Sequence, residues 1–307
     1  DTPCAYQAAI TAAGLERRVV VQTLARAATP SAEQRARTEA LLAWGAPAGL
    51  LPSMPKLRWA QALTAGVESW LALPDLPAGL ALTCARGTHG QSMPENILGA
   101  LFHIAKPYAA AAEDQKRLAW TRRMATPLNG ATLGILGVGA IGQAVARLAL
   151  ALGMRVLGTN RRGATLAGAE ILPPERTDEV LAQADYLLLL LPATPETENF
   201  INAPRLARMK KTAWLLNFGR GHLIDDAALI AAITGGHLAG AMLDVFRQEP
   251  LPTTHPFWTT PGIAVLPHIG GGHPQRDRVV AALFADNLAR FLDGRKLREE
   301  VDRAAGC

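Results

Sequence analysis

The chain has 307 residues, 49% of them hydrophobic and 19% charged, a composition ordinary for globular proteins and a length that predicts two domains. Lys and Arg outnumber Asp and Glu by 31 to 26, a formal charge of +5, yet the basic residues are scattered in short pairs such as Arg17-Arg18 and Arg122-Arg123. Without a basic stripe or an interleaved aromatic platform, nucleic acid is excluded as an expected partner. Apolar runs such as Tyr186 to Pro192 are also far short of the ~20 residues a membrane helix needs.

In chain order, residues 15–25 and 57–63 predict strands. Between them, residues 31–44 predict a helix, because Ser31 and Gln34 have capping-box spacing. A Pro-rich stretch follows, then a buried strand at 80–84 and a helix opening at Pro94 that stops near Pro107, where the ring removes a donor. From residue 132 the pattern turns regular. Strands at 132–137, 155–159, 185–191, 212–218, 238–245 and 262–267 alternate with helices at 140–152, 178–183, 203–209 and 226–234. Continuous apolar strands alternating with helices predict an α/β fold, its parallel sheet covered on both faces. A last helix at about 274–293 returns the chain to the first domain.

Within this pattern, residues 133–142 read Leu-Gly-Ile-Leu-Gly-Val-Gly-Ala-Ile-Gly, an apolar strand running through G-x-G-x-x-G into a helix. That context predicts a dinucleotide site at Gly137, Gly139, Ala140, Ile141 and Gly142, with the pyrophosphate on the helix N-terminus. A bare glycine turn would lack the strand before it and the helix after it. Roughly 20 residues further on, where an acidic residue would mark NAD, the chain has Thr159-Asn160-Arg161-Arg162. Two guanidiniums suit a ribose 2′-phosphate, so Asn160, Arg161 and Arg162 favour NADP(H) over NAD(H). As a solvated loop pair they would favour neither.

Three later segments carry reactive side chains at the ends of predicted strands, where ligands of open α/β sheets bind. They are Asn217-Phe218-Gly219-Arg220-Gly221, Asp244-Val245-Phe246-Arg247-Gln248-Glu249-Pro250-Leu251 and Pro267-His268-Ile269-Gly270-Gly271. A guanidinium, a carboxylate and an imidazole in this order are what hydride transfer to a 2-keto acid requires. Arg binds the substrate carboxylate, Glu orients the imidazole and favours its charged form, and His supplies the proton. A lone histidine after a strand is ordinarily structural; the company of Arg220 and Glu249 is what points to catalysis. His89, His103, His222, His237, His255 and His273 lack such company, and no cluster has metal-ligand spacing, so no metal is expected.

Together, the glycine loop, N-x-G-R-G, D-V-F-x-x-E-P-L-P and P-H-I-G-G resemble the D-2-hydroxyacid dehydrogenase family over nearly the whole chain. Leu63-Thr64-Ala65-Gly66-Val67-Glu68 resembles the family's substrate loop. Met93-Pro94-Glu95, the missing acidic residue after the second strand, and the ending Val301-Asp302-Arg303 look most like its NADP-preferring glyoxylate/hydroxypyruvate reductase branch. The resemblance implies two doubly wound parallel-sheet domains, a Rossmann nucleotide domain at 99–274 inserted into a flavodoxin-like substrate domain formed by 1–98 and 275–307. It implies that Arg220, Glu249 and His268 are catalytic, and that Ala65, Gly66 and Arg220 bind substrate. Pro192 would pass the cofactor ribose and Asp244 would contact the nicotinamide carboxamide. The product would be the D acid, and the assembly a homodimer built on the nucleotide domains. Cys84 to His89 follows no family pattern, and Asn96 stands where this branch often has an aromatic. The unpaired spacing of Cys4, Cys84 and Cys307 fits reduced thiols in the cytoplasm. Reduction of bulkier 2-keto acids such as phenylpyruvate stays open, as does a nicotinamide-nucleotide-sensing protein without turnover, since fold does not fix function.

Overall fold

The computed structural model describes residues 3–25, 28–161 and 163–303. In chain order its elements are α1 (Pro3–Ala12), α2 (Ala32–Arg37), β1 (Ala40–Ala43), β2 (Trp59–Ala62), α3 (Glu68–Leu71), β3 (Ala81–Thr83), α4 (Ser92–Ala105), α5 (Tyr108–Lys116), β4 (Thr132–Leu136), α6 (Ala140–Ala151), β5 (Arg155–Thr159) and β6 (Ala169–Leu172). Then come α7 (Thr177–Gln183), β7 (Tyr186–Leu189), α8 (Ala203–Leu206), β8 (Trp214–Asn217), α9 (Asp226–Thr234), β9 (Gly240–Leu243), β10 (Ile263–Val265) and α10 (Arg276–Leu292). The chain divides into two compact units, residues 1–88 with 273–307, and residues 89–272.

The second unit is built on seven parallel strands in the order β10-β9-β8-β7-β4-β5-β6. Its helices cover both faces because the central strands β4, β7, β8 and β9 are buried on both sides. Leu133, Ile135, Val156, Leu188 and Leu216 pack against Ile97 and Leu101 of α4 and Val145 and Ala149 of α6. Leu136, Leu157, Leu187, Leu189 and Leu215 pack oppositely against Val180 and Leu181 of α7, Leu206 of α8 and Leu229 of α9. Strand order reverses between β4 and β7, and in open α/β sheets that reversal opens the ligand crevice at the carboxyl edge. Helix α4, expected in the first domain as far as residue 98, belongs to this unit, since Ile97 and Leu101 are buried under its sheet.

The first unit has a three-stranded parallel sheet, β1-β2-β3. Trp59 of β2 is fully buried and stacks on Phe284 of α10 at 5.4 Å between ring centroids, within a cluster that includes Tyr6 and Ile10 of α1. Two expectations fail here. Residues 15–25 form turns and irregular backbone instead of a strand, with Val20, Val21 and Leu24 exposed; β-propensity makes no strand without a neighbour to pair with. The helix expected over 31–44 has its capping box, Gln34 N donating to Ser31 Oγ at 3.2 Å, but ends at Arg37. There the Thr38 hydroxyl takes the Gln34 carbonyl (2.7 Å), and Ala40–Ala43 pair with β2.

Candidate active site

The glycine loop sits at the strand-order reversal, and its three glycines do three different things. Gly137 has φ 101°, and a Cβ there would lie 2.8 Å from the Leu190 carbonyl oxygen, just beyond β7. A Cβ on Gly142 would lie 2.8 Å from the Gly137 carbonyl oxygen, so that glycine lets α6 close onto the turn. Around Gly139 a Cβ would meet nothing within 4 Å. This open approach lies at the N-terminus of α6, where the N–H groups of Ala140, Ile141 and Gly142 have no intrahelical acceptor. Space for a pyrophosphate beside unpaired N–H donors is what a dinucleotide needs, so these residues fit one.

Beyond β5, Asn160 holds the next turn to the glycine loop, its Nδ2 donating to the Val138 carbonyl (2.7 Å) and its Oδ1 accepting from Ala164 N (3.2 Å). A hollow of about 650 Å3 opens there, lined by Asn160, Arg161, Gly163, Leu172, Pro173 and Glu175. Arg161 is exposed at its edge; Arg162 lies outside the described residues. Pro192, half-buried after β7, has its carbonyl bonded by the Thr197 hydroxyl at 2.7 Å.

Arg220 follows β8 in extended backbone, shaped by the fully buried Asn217, whose Oδ1 accepts from Gly219 N (3.0 Å) while its Nδ2 donates to the Arg220 carbonyl (2.9 Å). The flanking glycines answer to crowding. A Cβ on Gly219 would lie 2.9 Å from the Leu191 carbonyl oxygen, and one on Gly221 would lie 2.0 Å from the Phe246 carbonyl carbon. N-x-G-R-G thus locks the ends of β7, β8 and β9 together.

The end of β9 joins the loop after β10. The fully buried carboxylate of Asp244 accepts from Ile269 N (2.8 Å) and Gly270 N (2.9 Å); burial pushes its carboxyl above the ordinary value, against the pull of those two N–H groups. Glu249 accepts from Phe246 N through Oε1 at 2.9 Å, which fixes its carboxylate, and its Oε2 lies 2.6 Å from His268 Nδ1. A carboxylate only accepts, so Nδ1 carries the proton and Nε2 is the ring nitrogen left for chemistry. The His268 side chain is 53% exposed, and its backbone is left-handed with φ 53°.

In the first unit, Ala65 and Gly66 are half-exposed in a loop held by Ala85 N donating to the Thr64 carbonyl (2.9 Å) and by the Thr64 hydroxyl donating to the Gly66 carbonyl (2.5 Å). Sequence reasoning missed Arg276, whose guanidinium donates to the Leu63 carbonyl and lies 4.6 Å over the Trp44 ring. It also missed Asn217, and a row of donors on α4 reaching the loop after His268. No local spacing announces Arg276 or the α4 donors, because their acceptors are backbone carbonyls far along the chain; Asn217 bonds backbone only two and three residues on. Among the described residues, no group of three His, Cys, Asp or Glu side chains could hold a metal ion, and no helix is long and apolar enough to cross a membrane.

A seven-stranded nucleotide-type sheet with a fitted glycine loop, and a carboxylate-paired histidine at its carboxyl edge, define a dinucleotide-dependent oxidoreductase. Residues 98–270 match the family model for the NAD-binding domain of D-isomer specific 2-hydroxyacid dehydrogenases, and the chain belongs to that family. It is 33% identical to a glyoxylate/hydroxypyruvate reductase B from Citrobacter koseri over 253 residues, 80% of this chain and 78% of the relative. Among solved structures it is similar to a D-isomer specific 2-hydroxyacid dehydrogenase from Xanthobacter autotrophicus in complex with NADPH and MES (TM-score 0.88, 29% identity, covering 100% of this chain and 96% of that one). It is also similar to an NADPH-dependent glyoxylate/hydroxypyruvate reductase from Sinorhizobium meliloti in complex with NADP and sulfate (TM-score 0.85, 28% identity, covering 100% and 97%).

Proposed function

We propose that this enzyme reduces a short 2-keto acid of the glyoxylate/hydroxypyruvate class to the D-2-hydroxy acid, with NADPH preferred over NADH. The 2.6 Å pairing of His268 Nδ1 with Glu249 carries the reading, because it prepares one imidazole nitrogen for proton transfer. When bound, the nicotinamide nucleotide supplies the hydride. His268 gives a proton from Nε2 to the keto oxygen, and Glu249 keeps the ring oriented through Nδ1. Arg220 holds the substrate carboxylate and polarises the carbonyl, and the backbone N–H groups of Ala65 and Gly66 bind that carboxylate as well. The second unit holds the nucleotide, with Gly137, Gly139, Ala140, Ile141 and Gly142 at the pyrophosphate, Asn160, Arg161 and Arg162 at the 2′-phosphate, Pro192 at the ribose and Asp244 at the carboxamide.

Leu118, Trp120 and Met124 are 96%, 96% and 94% exposed in the segment between α5 and β4 of the second unit, which supports a homodimer built on that unit; a one-subunit mass by light scattering would contradict it. The unpaired cysteine spacing supports a cytoplasmic setting, which reporter-fusion fractionation checks. The test of the reaction is a panel of glyoxylate, hydroxypyruvate, pyruvate and phenylpyruvate, each with NADPH and with NADH. The highest kcat/KM is expected for glyoxylate or hydroxypyruvate with NADPH. Preference for phenylpyruvate would move the substrate class, and no nucleotide oxidation with any acid would favour a sensing protein.

A further inference from the structure

The loop after His268 is held from two sides, and only one of them belongs to the motifs that point to the reaction. Asp244 takes its N–H groups at Ile269 and Gly270. Its carbonyls are taken by His89 and by the start of α4. Asn96 Nδ2 donates to the Gly270 carbonyl at 2.9 Å and more weakly to the Ile269 carbonyl at 3.3 Å. The Ser92 hydroxyl donates to the Gly272 carbonyl at 3.0 Å, and His89 Nδ1 lies 2.9 Å from the Gly271 carbonyl. A carbonyl only accepts, so His89 Nδ1 must carry a proton. Ser92 and Asn96 stand four residues apart on one helix face, and Asn96 Nδ2 also reaches Ser92 Oγ at 3.3 Å, so the donors brace one another.

Four consecutive carbonyls thus have side-chain donors from one short stretch of chain. The packing leaves little slack. A Cβ on Gly270 would lie 2.7 Å from Asp244 Oδ2, and one on Gly271 would lie 3.1 Å from the His89 ring. The loop is also where the chain leaves the second unit, after Gly272, and His89 is where it enters that unit. Directly before the loop stands the left-handed backbone of His268, a conformation that persists in a non-glycine residue only when its surroundings over-determine it.

We propose that His89, Ser92 and Asn96 are positioning residues for His268, a clasp on the 269–272 backbone that, with Asp244 opposite, sets the direction of the imidazole. This rests on reading His268 as the acid/base. It gives a role to the stretch around Asn96, where the chain departs from the aromatic expected of the family branch.

The test compares Asn96→Ala, Ser92→Ala and Asn96→Gln with His268→Asn, measuring kcat, KM, NADPH binding by fluorescence, Tm and the solvent deuterium isotope effect on kcat with glyoxylate and hydroxypyruvate. Asn96→Ala is expected to lower kcat about tenfold or more, with NADPH affinity changed less than threefold. Its isotope effect should rise, because a mis-aimed imidazole makes proton transfer rate-limiting. Ser92→Ala should act in the same direction more weakly, and Asn96→Gln, which keeps the donor, should recover part of the rate. If His268→Asn abolishes turnover while Asn96→Ala and Ser92→Ala keep the wild-type kcat and isotope effect, the clasp is overturned and the acid/base reading stands. A fall in Tm and NADPH affinity parallel to kcat, with the isotope effect unchanged, also overturns it in favour of a purely structural role. Retained turnover in His268→Asn overturns the acid/base reading itself.

Discussion

Left-handed backbone in a residue with a β-carbon costs about 1–3 kcal/mol, and His268 adopts it with its side chain half exposed and its ring bonded to Glu249. Tight backbone bonding on both sides of the following loop sustains that cost, and the result is an imidazole with one nitrogen held and one presented. Specificity for the nucleotide is the second residue-scale matter. If Arg161 and Arg162 hold a ribose 2′-phosphate, as proposed, replacing both by Ala removes charge-assisted partners that only that phosphate can use. The KM for NADPH is expected to rise at least tenfold with that for NADH nearly unchanged; steady-state kinetics with both nucleotides check this, and equal changes would contradict it. The role of Arg220 remains a proposal; the pairing of Glu249 with His268 was legible in the sequence, because reactive side chains at successive strand ends are informative even without coordinates. Asn96 and Asn217 were not, because each acts by bonding backbone, and nothing in a neighbouring residue type announces which carbonyl an amide will meet.

At the scale of elements, the glycines separate packing from binding. Gly221 is crowded by the Phe246–Arg247 peptide, whereas Gly139 faces open space at the N-terminus of α6 with φ −86°. Gly221→Ala is therefore expected to lower stability by about 1–3 kcal/mol in urea denaturation, as overpacking does. Gly139→Ala should stay within about 0.5 kcal/mol of wild type while weakening NADPH binding at least tenfold. A stable Gly221→Ala, or a Gly139→Ala with undiminished binding, would reverse the roles assigned to them. Elements from residue 132 onward were legible because buried parallel strands read as continuous apolar runs closed by helix caps such as Asp225, whose carboxylate accepts from Ala228 N at 3.0 Å. Residues 15–25 misled for the converse reason: Val19, Val20 and Val21 have strand propensity but no strand beside them. Strand β6, with only one residue fully buried, carries too weak a pattern to be read.

Across the whole molecule, ties between distant segments set the pH dependence of stability. Asp185 joins three parts of the nucleotide-binding unit, accepting from Thr132 N at 2.8 Å at the start of β4 and from Lys210 Nζ at 2.8 Å. Burial opposes its ionisation, but the Lys210 ammonium and the Thr132 N–H outweigh burial and hold its carboxyl below the ordinary range. A carboxyl lowered in the folded state contributes stability above its unfolded value and loses it as pH falls through the folded one. Lys210→Met should therefore cost about 0.5–1 kcal/mol at neutral pH, a figure kept small because both partners are about one-third exposed. That cost should vanish below the carboxylate range. Urea midpoints at neutral and acid pH check the sign, and a cost independent of pH would show that Lys210 acts through packing alone.

His268, held by Glu249, is proposed to move the proton in a nucleotide-dependent 2-keto acid reduction, and His268→Asn tests this most directly. With glyoxylate or hydroxypyruvate and NADPH, kcat is expected to fall by about 100-fold or more while the Kd for NADPH, read by fluorescence, changes less than threefold. A variant that still turns over near the wild-type rate, or one that loses rate and nucleotide binding together, would contradict it.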